Sequence, residues 1–167
     1  EKKQAYTDYL LARAPESASG KLHDAPWLMK APLDLAKRDG KPTLVIFEQK
    51  VCAGCDEMHA EGFPRPEVAA LLQRYRAARV DIAANEVLKT PNGKSLPMRD
   101  WARQLKIAYT PSFVFFDASG QEVFRVEGYL RPFHLASSLD YVASGAYRKQ
   151  PEFQRFIEAR AAARREK

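Results

Sequence analysis

Thr43-Leu44-Val45-Ile46-Phe47 is an unbroken run of aliphatic, β-branched and aromatic residues, set between the breaker Lys41-Pro42 and the polar Glu48-Gln49-Lys50. A strand apolar on both faces must be covered on both, so the run predicts a central strand in a sheet with helices on either side. Phe113-Val114-Phe115-Phe116 is a second such run, and Ala78–Ile82 reads as another strand. Helical patterns separate them. One starts at Asp56 and is interrupted at Gly62-Phe63-Pro64; it resumes at Glu67–Leu72, with Val68, Leu71, Leu72 and Tyr75 on one face. Others are Arg99–Lys106, carrying Trp101 and Leu105, and Pro132–Val142, with Phe133, Leu135, Leu139 and Val142 inward. A short helix is also expected at Ala31–Arg38, closed by Asp39-Gly40. Asp117-Ala118-Ser119-Gly120 is a hairpin turn into the alternating strand Glu122–Glu127. The early crossovers imply parallel pairing and the hairpin antiparallel pairing, hence a mixed α/β sheet flanked by helices.

With 167 residues the chain holds one domain and appendages. Residues 1–25 are an N-terminal extension with at most a short helix, Lys3–Arg13; residues 26–146 form the sheet domain; residues 147–167 are a C-terminal helical extension. In the last, Tyr147–Gln150 is a linker, and Pro151 opens an amphipathic helix bearing Phe153, Phe156 and Ile157. The net charge of +6 is concentrated at the ends, in Lys2, Lys3, Arg160, Arg164, Arg165 and Lys167. No zinc-finger spacing, RNA-binding aromatic motif or basic heptad accompanies it, so it reads as a solvated helix face and no nucleic-acid partner is expected. No apolar run approaches the roughly 20 residues of a membrane span. The first residue is Glu1 rather than Met, so a tag or targeting segment is expected to have been removed.

The two cysteines form Cys52-Ala53-Gly54-Cys55, at the junction of the first strand and a helix. Cys52 falls at the helix N-terminus, where unpaired N–H groups and the helix dipole favour a thiolate, and Cys55 follows one turn later within disulfide reach. The first thiol is expected to be the exposed nucleophile and the second its resolving partner. Two other readings stand beside this one. A structural disulfide closing so short a loop gains little. A zinc site would need Cys52, Cys55, His59 and a distant His23 or His134, and no second paired motif supports it. Asp56 after the second Cys excludes covalent haem. Glu48 is the nearest carboxylate and a candidate for proton transfer; its plainer reading is an exposed strand-end charge. His59 is a candidate for tuning the thiolate, or a partly exposed helix histidine. Trp27 and Trp101 read as packing. Thr110-Pro111 opens a buried-type strand with a residue that forfeits a ladder hydrogen bond, and Tyr109 before it either lines a groove or packs.

These features resemble the thioredoxin superfamily from about Trp27 to Val142. The resemblance is carried by the strand Thr43–Phe47, the Cys52–Cys55 motif, Tyr109-Thr110-Pro111 before Phe113–Phe116, and the closing Gly128 and helix. Cys-Ala-Gly-Cys with Met58, Phe63 and Pro66-Glu67-Val68, and the tail from Gly128-Tyr129-Leu130 to Phe153, are most similar to periplasmic SoxW-like disulfide reductases and the C-terminal domain of DsbD. The chain departs from thioredoxins in having Val51 before the first Cys, Ala53-Gly54 between the pair, and Ile46 where they bury an acid.

The resemblance implies a thioredoxin fold with an N-terminal extension and an extra C-terminal helix. It implies a cis bond at Thr110–Pro111, with Thr110, Pro111 and Tyr109 holding substrate backbone. It implies catalysis by Cys52 and Cys55 with no cofactor beyond their redox-active disulfide, and no metal. The expected partners are protein disulfides and a membrane electron donor of the CcdA, SoxV or DsbD type, and the expected setting is a periplasmic monomer working as a reductase. The alternatives are a non-catalytic thioredoxin-fold binding or assembly module, and a disulfide-donating oxidase.

Overall fold

A computed structural model describes residues 18–167; the expected helix Lys3–Arg13 lies outside them. In chain order the elements are β1 (Thr43–Glu48), α1 (Ala53–Glu57) running into a π-turn (Met58–Gly62), α2 (Pro66–Leu72), β2 (Arg76–Asp81), β3 (Val87–Lys89) and β4 (Ser95–Pro97). They continue as α3 (Met98–Gln104), β5 (Ser112–Phe116), β6 (Glu122–Glu127), α4 (Pro132–Ala143), α5 (Ala146–Lys149) and α6 (Phe153–Arg165). The main sheet has the order β2-β1-β5-β6, and β3 and β4 form a separate ribbon. This is a thioredoxin fold, a mixed central sheet flanked by helices.

The period-2 geometry of β1 and β5 builds two cores. Leu44, Ile46, Phe113 and Phe115 face Met58 of the π-turn, Phe63 just after it, Val68 and Leu72 of α2, and Leu135 and Leu139 of α4. Val45, Phe47, Val114 and Phe116 face Trp101 and Ala102 of α3, with Leu33, Leu35 and Leu88. Every residue of β1 and β5 is buried, as strands apolar on both faces require.

β1 and β2 pair in parallel, as the first crossover implied. The second connection, through β3, β4 and α3, instead returns β5 antiparallel to β1, with Phe47 opposite Ser112. Parallel β1 and β2 end at the same edge, and an antiparallel β5 starts there. The chain between Asp81 and Ser112 therefore need not cross the sheet, and Thr110-Pro111 arrives beside the end of β1 that leads to Cys52.

Two local expectations are corrected. Ala31–Arg38 is not a helix. Leu33 and Leu35 are both buried, a spacing of two that suits extended chain, and the Leu33 carbonyl and Leu35 N–H are bonded to the N–H and carbonyl of Lys89. The helix after Cys55 is not uniform either. Met58 and Phe63 both enter the same core, yet residues five apart diverge on an α-helix. The bond from Phe63 N–H to the Met58 carbonyl, at 2.8 Å, realigns them by one π-turn.

The expected linker Tyr147–Gln150 is mostly the one-turn α5 (Ala146–Lys149), and α6 docks back on the domain. Phe153 and Phe156 pack on Tyr141, and Phe153 also on Phe124. Arg160 and Arg164 bind the Glu67 carboxylate and lie over the Phe133 ring. Part of the basic end is thus committed to intramolecular contacts, whereas the sequence suggested only a solvated face.

Candidate active site around the cysteine pair

The buried end of β1 fixes the entry to the site. Glu48 ends the strand, the chain turns through Gln49-Lys50-Val51, and Cys52 caps α1 in extended conformation. The Cys55 N–H donates to Cys52 Sγ at 3.1 Å, and the Asp56 N–H to the Cys52 carbonyl at 3.1 Å. The two cysteines are joined as a disulfide, with Cα atoms 5.2 Å apart. Cys52 is 6% exposed and Cys55 2%. Their order is the expected one, but Cys52 is recessed rather than open.

The recess has three sides. The Thr110–Pro111 peptide is cis. The Pro111 ring lies against Gly54, where a methyl group would stand 3.2 Å from its Cδ. The Pro111 carbonyl accepts the Gly128 N–H at 2.8 Å, which ties this loop to the end of β6. Among the described residues, neither the N–H nor the carbonyl of Thr110 is taken by another backbone group. Val51, Tyr109 and Tyr129 are exposed apolar side chains on this rim, Tyr109 to 66%. Tyr129 also lies against the Gly54 position, and its hydroxyl donates to Glu57 Oε1 at 2.8 Å. Burial, then that bond, raises its pKa above the ordinary tyrosine value.

The structure corrects the plainer reading of Glu48, whereas His59 is part-buried, as its plainer reading had it. Glu48 is 1% exposed, and its Oε1 meets His59 Nε2 at 2.7 Å, with the His59 side chain 7% exposed. The reason is periodicity: Glu48 continues the inward face of Leu44 and Ile46, so it lies under the helix layer instead of projecting from a strand end. His59 stacks on His23 with ring centroids 4.9 Å apart, and His23 Nε2 meets Asp56 Oδ1 at 2.5 Å. Asp56 also accepts from the Ser19 N–H and hydroxyl. Burial works against ionisation of Asp56; the bonds from His23 and Ser19 outweigh it and hold the carboxyl below its ordinary range. Among the described residues no group of three His, Cys, Asp or Glu side chains is placed to hold a metal ion. Trp101 is buried against Phe47 and Phe116, and Trp27 packs on Phe63 and His59.

Sequence reasoning passed over Tyr129 and the His23–Asp56 pair. The burial of Glu48 had a signal in the strand period; the joining of His23 to Asp56, 33 residues apart, had none.

A disulfide at a helix N-terminus, bordered by a proline loop on a mixed sheet, defines a thioredoxin-fold protein. The thioredoxin-like domain family matches residues 29–143, and the chain belongs to that family. Among curated proteins, none matches the chain. A thioredoxin-fold protein from Helicobacter pylori superposes with a TM-score of 0.68 at 16% identity, over 75% of this chain and 88% of that one. A thioredoxin from Thermus thermophilus gives 0.48 at 28% identity, over 62% and 74%. The C-terminal domain of DsbD from Neisseria meningitidis, in its reduced form, gives 0.47 at 19%, over 60% and 79%. The family and the paired Cys-x-x-Cys together are those of a thiol–disulfide oxidoreductase, whose redox centre is the cysteine pair rather than an added cofactor.

Proposed function

We propose that the chain reduces disulfides in protein substrates in the periplasm, and is recharged by a membrane electron donor of the CcdA, SoxV or DsbD type. The observation that carries the exchange chemistry is the setting of Cys52. Its sulfur receives a backbone N–H at the start of a helix and is the more accessible of the pair. The Cys52 thiolate attacks one sulfur of a substrate disulfide, and the other substrate sulfur leaves with the electron pair. Cys55 then loses its proton and attacks Cys52 Sγ, which releases the second substrate thiolate and closes the Cys52–Cys55 bond. Glu48 takes part in that proton transfer. The free backbone edge of Thr110, beside Pro111 and Tyr109, holds an extended substrate by strand-like bonds.

The reducing direction is supported by what the motif lacks. Strong oxidants stabilise their reduced thiolate heavily, and Ala53-Gly54 place no cationic side chain between the cysteines. The export and donor assignments are supported by the likeness of the Cys-Ala-Gly-Cys segment and tail to SoxW-like and DsbD sequences. Equilibration with glutathione and dithiothreitol buffers tests the direction. A potential below roughly −220 mV, with turnover of insulin disulfides, is expected. A value near about −120 mV would assign an oxidase instead, and a pair that never turns over would assign a binding module.

A further inference from the structure

Glu48 Oε2 is buried and has no hydrogen-bond partner, while Oε1 is held by His59. A buried carboxyl oxygen without a partner is costly, and the one side chain that meets this carboxyl is the His59 ring. The pair also belongs to the elements that carry the cysteines. Glu48 points from β1 toward the layer that contains α1, and His59 follows Cys55 by four residues, one turn along the same helix face. On its other side His59 borders a cavity of about 420 Å³, which His23, Trp27, Ala60, Phe63 and Pro64 also line. His59 thus joins the buried carboxyl to a space that solvent can fill.

We infer that His59 carries the proton of the exchange reaction and that Glu48 is its positioning partner. This rests on the exchange reading above and assigns a residue that the reading leaves without a task. As Cys55 attacks Cys52 Sγ, its proton passes to the His59–Glu48 pair; the Cys52–substrate bond breaks and the substrate thiolate leaves with the electrons. The proton then passes from His59 to water in the cavity. Substrate disulfide is the only oxidant, and the reverse path supplies the proton when a donor reduces the pair. Around the dyad, His23 stacks on His59 and pairs with Asp56, Asp24 lines the same cavity as His59, and Asp81 is the strand neighbour of Glu48 on β2. His23 is already paired with Asp56, and the Asp81 carboxylate accepts the Ala83 N–H, so His59 is the ring that answers to Glu48.

The test uses the reduced chain in single turnover with insulin or a small aromatic disulfide, from about pH 5 to 9, for wild type, His59→Gln and His59→Ala. Loss of a general acid–base group slows a step by roughly 10²–10⁴-fold. His59→Gln is therefore expected to slow Cys52–Cys55 closure by about 100-fold at neutral pH and to recover as pH rises. Alkylation of Cys52 by iodoacetamide should change by less than about twofold, since Cys52 loses its proton elsewhere. Free imidazole should restore the rate of His59→Ala by filling the vacated site, a result that a purely structural role does not produce. Glu48→Gln should keep the pH profile of a histidine but shift its midpoint. A His59→Gln rate equal to wild type across the range overturns the carrier role while the exchange reading stands. So does a slowed variant with unchanged pH dependence and no imidazole rescue. A wild type that closes no disulfide overturns both.

Discussion

On its outer side the cysteine pair is flanked by the apolar side chains Val51, Tyr109 and Tyr129, all exposed; on its inner side lie the buried Glu48 and the part-buried His59. A soluble domain ordinarily places these classes the other way round. The inversion separates two kinds of cost. Exposed apolar groups beside a recessed disulfide lose water when a protein substrate settles on them, so their cost is recovered on binding. A buried carboxyl and imidazole gain nothing from a partner they never meet. Their cost is reduced where Glu48 Oε1 meets His59 Nε2 and stays unrelieved at Glu48 Oε2.

The first way to break the comparison is to remove what the two sides share. Cys52→Ser should abolish disulfide reduction outright, and alkylation at mildly acidic pH should label Cys52 before Cys55. Cys55→Ala should leave the Cys52–substrate disulfide unresolved, visible as covalent adducts on non-reducing gels. Preferential labelling of Cys55 would reverse the roles. The next largest effect falls on the inner side. Glu48→Ala strips His59 of its partner and opens a void, and it should destabilise the fold by about 2–4 kcal/mol in denaturant unfolding. A loss below about 0.5 kcal/mol, the range of surface substitutions, would mean that the pair is not structurally coupled.

How far the sequence disclosed this arrangement depends on the range of each interaction. The Thr43–Phe47 and Phe113–Phe116 runs were enough to place the central strands, because being apolar on both faces is a local property. The Cys52–Cys55 motif was legible for the same reason: the helix start and the spacing are both local. The Ala31–Arg38 segment misled because Leu33 and Leu35 are claimed by Lys89 across the chain, a pairing that no local pattern carries. The π-turn depended on both Met58 and Phe63 reaching one core. The inner polar pair was half legible, since the strand period predicts that Glu48 is buried while its partner comes from a different element.

The outer side gives a smaller and more selective effect. Tyr109 is two-thirds exposed, so Tyr109→Ser should alter stability by no more than about 0.5 kcal/mol. Truncating an aromatic at the edge of a binding surface should instead raise KM for a protein disulfide by roughly tenfold, equivalent to about 1.4 kcal/mol. The rate with a small disulfide, which does not reach the rim, should be unchanged. Equal losses on both substrates would show that Tyr109 positions the Thr110–Pro111 loop and does not contact substrate.

The smallest effect is the dependence of the second imidazole–carboxylate pair on pH. Asp56 holds the segment before β1 through His23 and Ser19, and its pKa lies below the ordinary 3.8. A carboxyl depressed in the folded state adds stability that is fully present above its unfolded value, and that stability is lost as pH falls through the folded value. The attachment should therefore be intact from neutrality down to about pH 4 and weaken only below it. Both partners are partly solvated, so the contribution is at the low end for a charge-assisted pair, about 1 kcal/mol or less. Amide hydrogen exchange of residues 19–24 in wild type and Asp56→Asn measures it. At pH 6 the variant should exchange faster in this segment alone, while β1 and β5 keep their protection; the difference should narrow as pH falls below about 4. Equal protection at pH 6 would show that Trp27 and Leu28, packed on the core, hold the segment without Asp56, and that only the buried pair of the two matters to the fold.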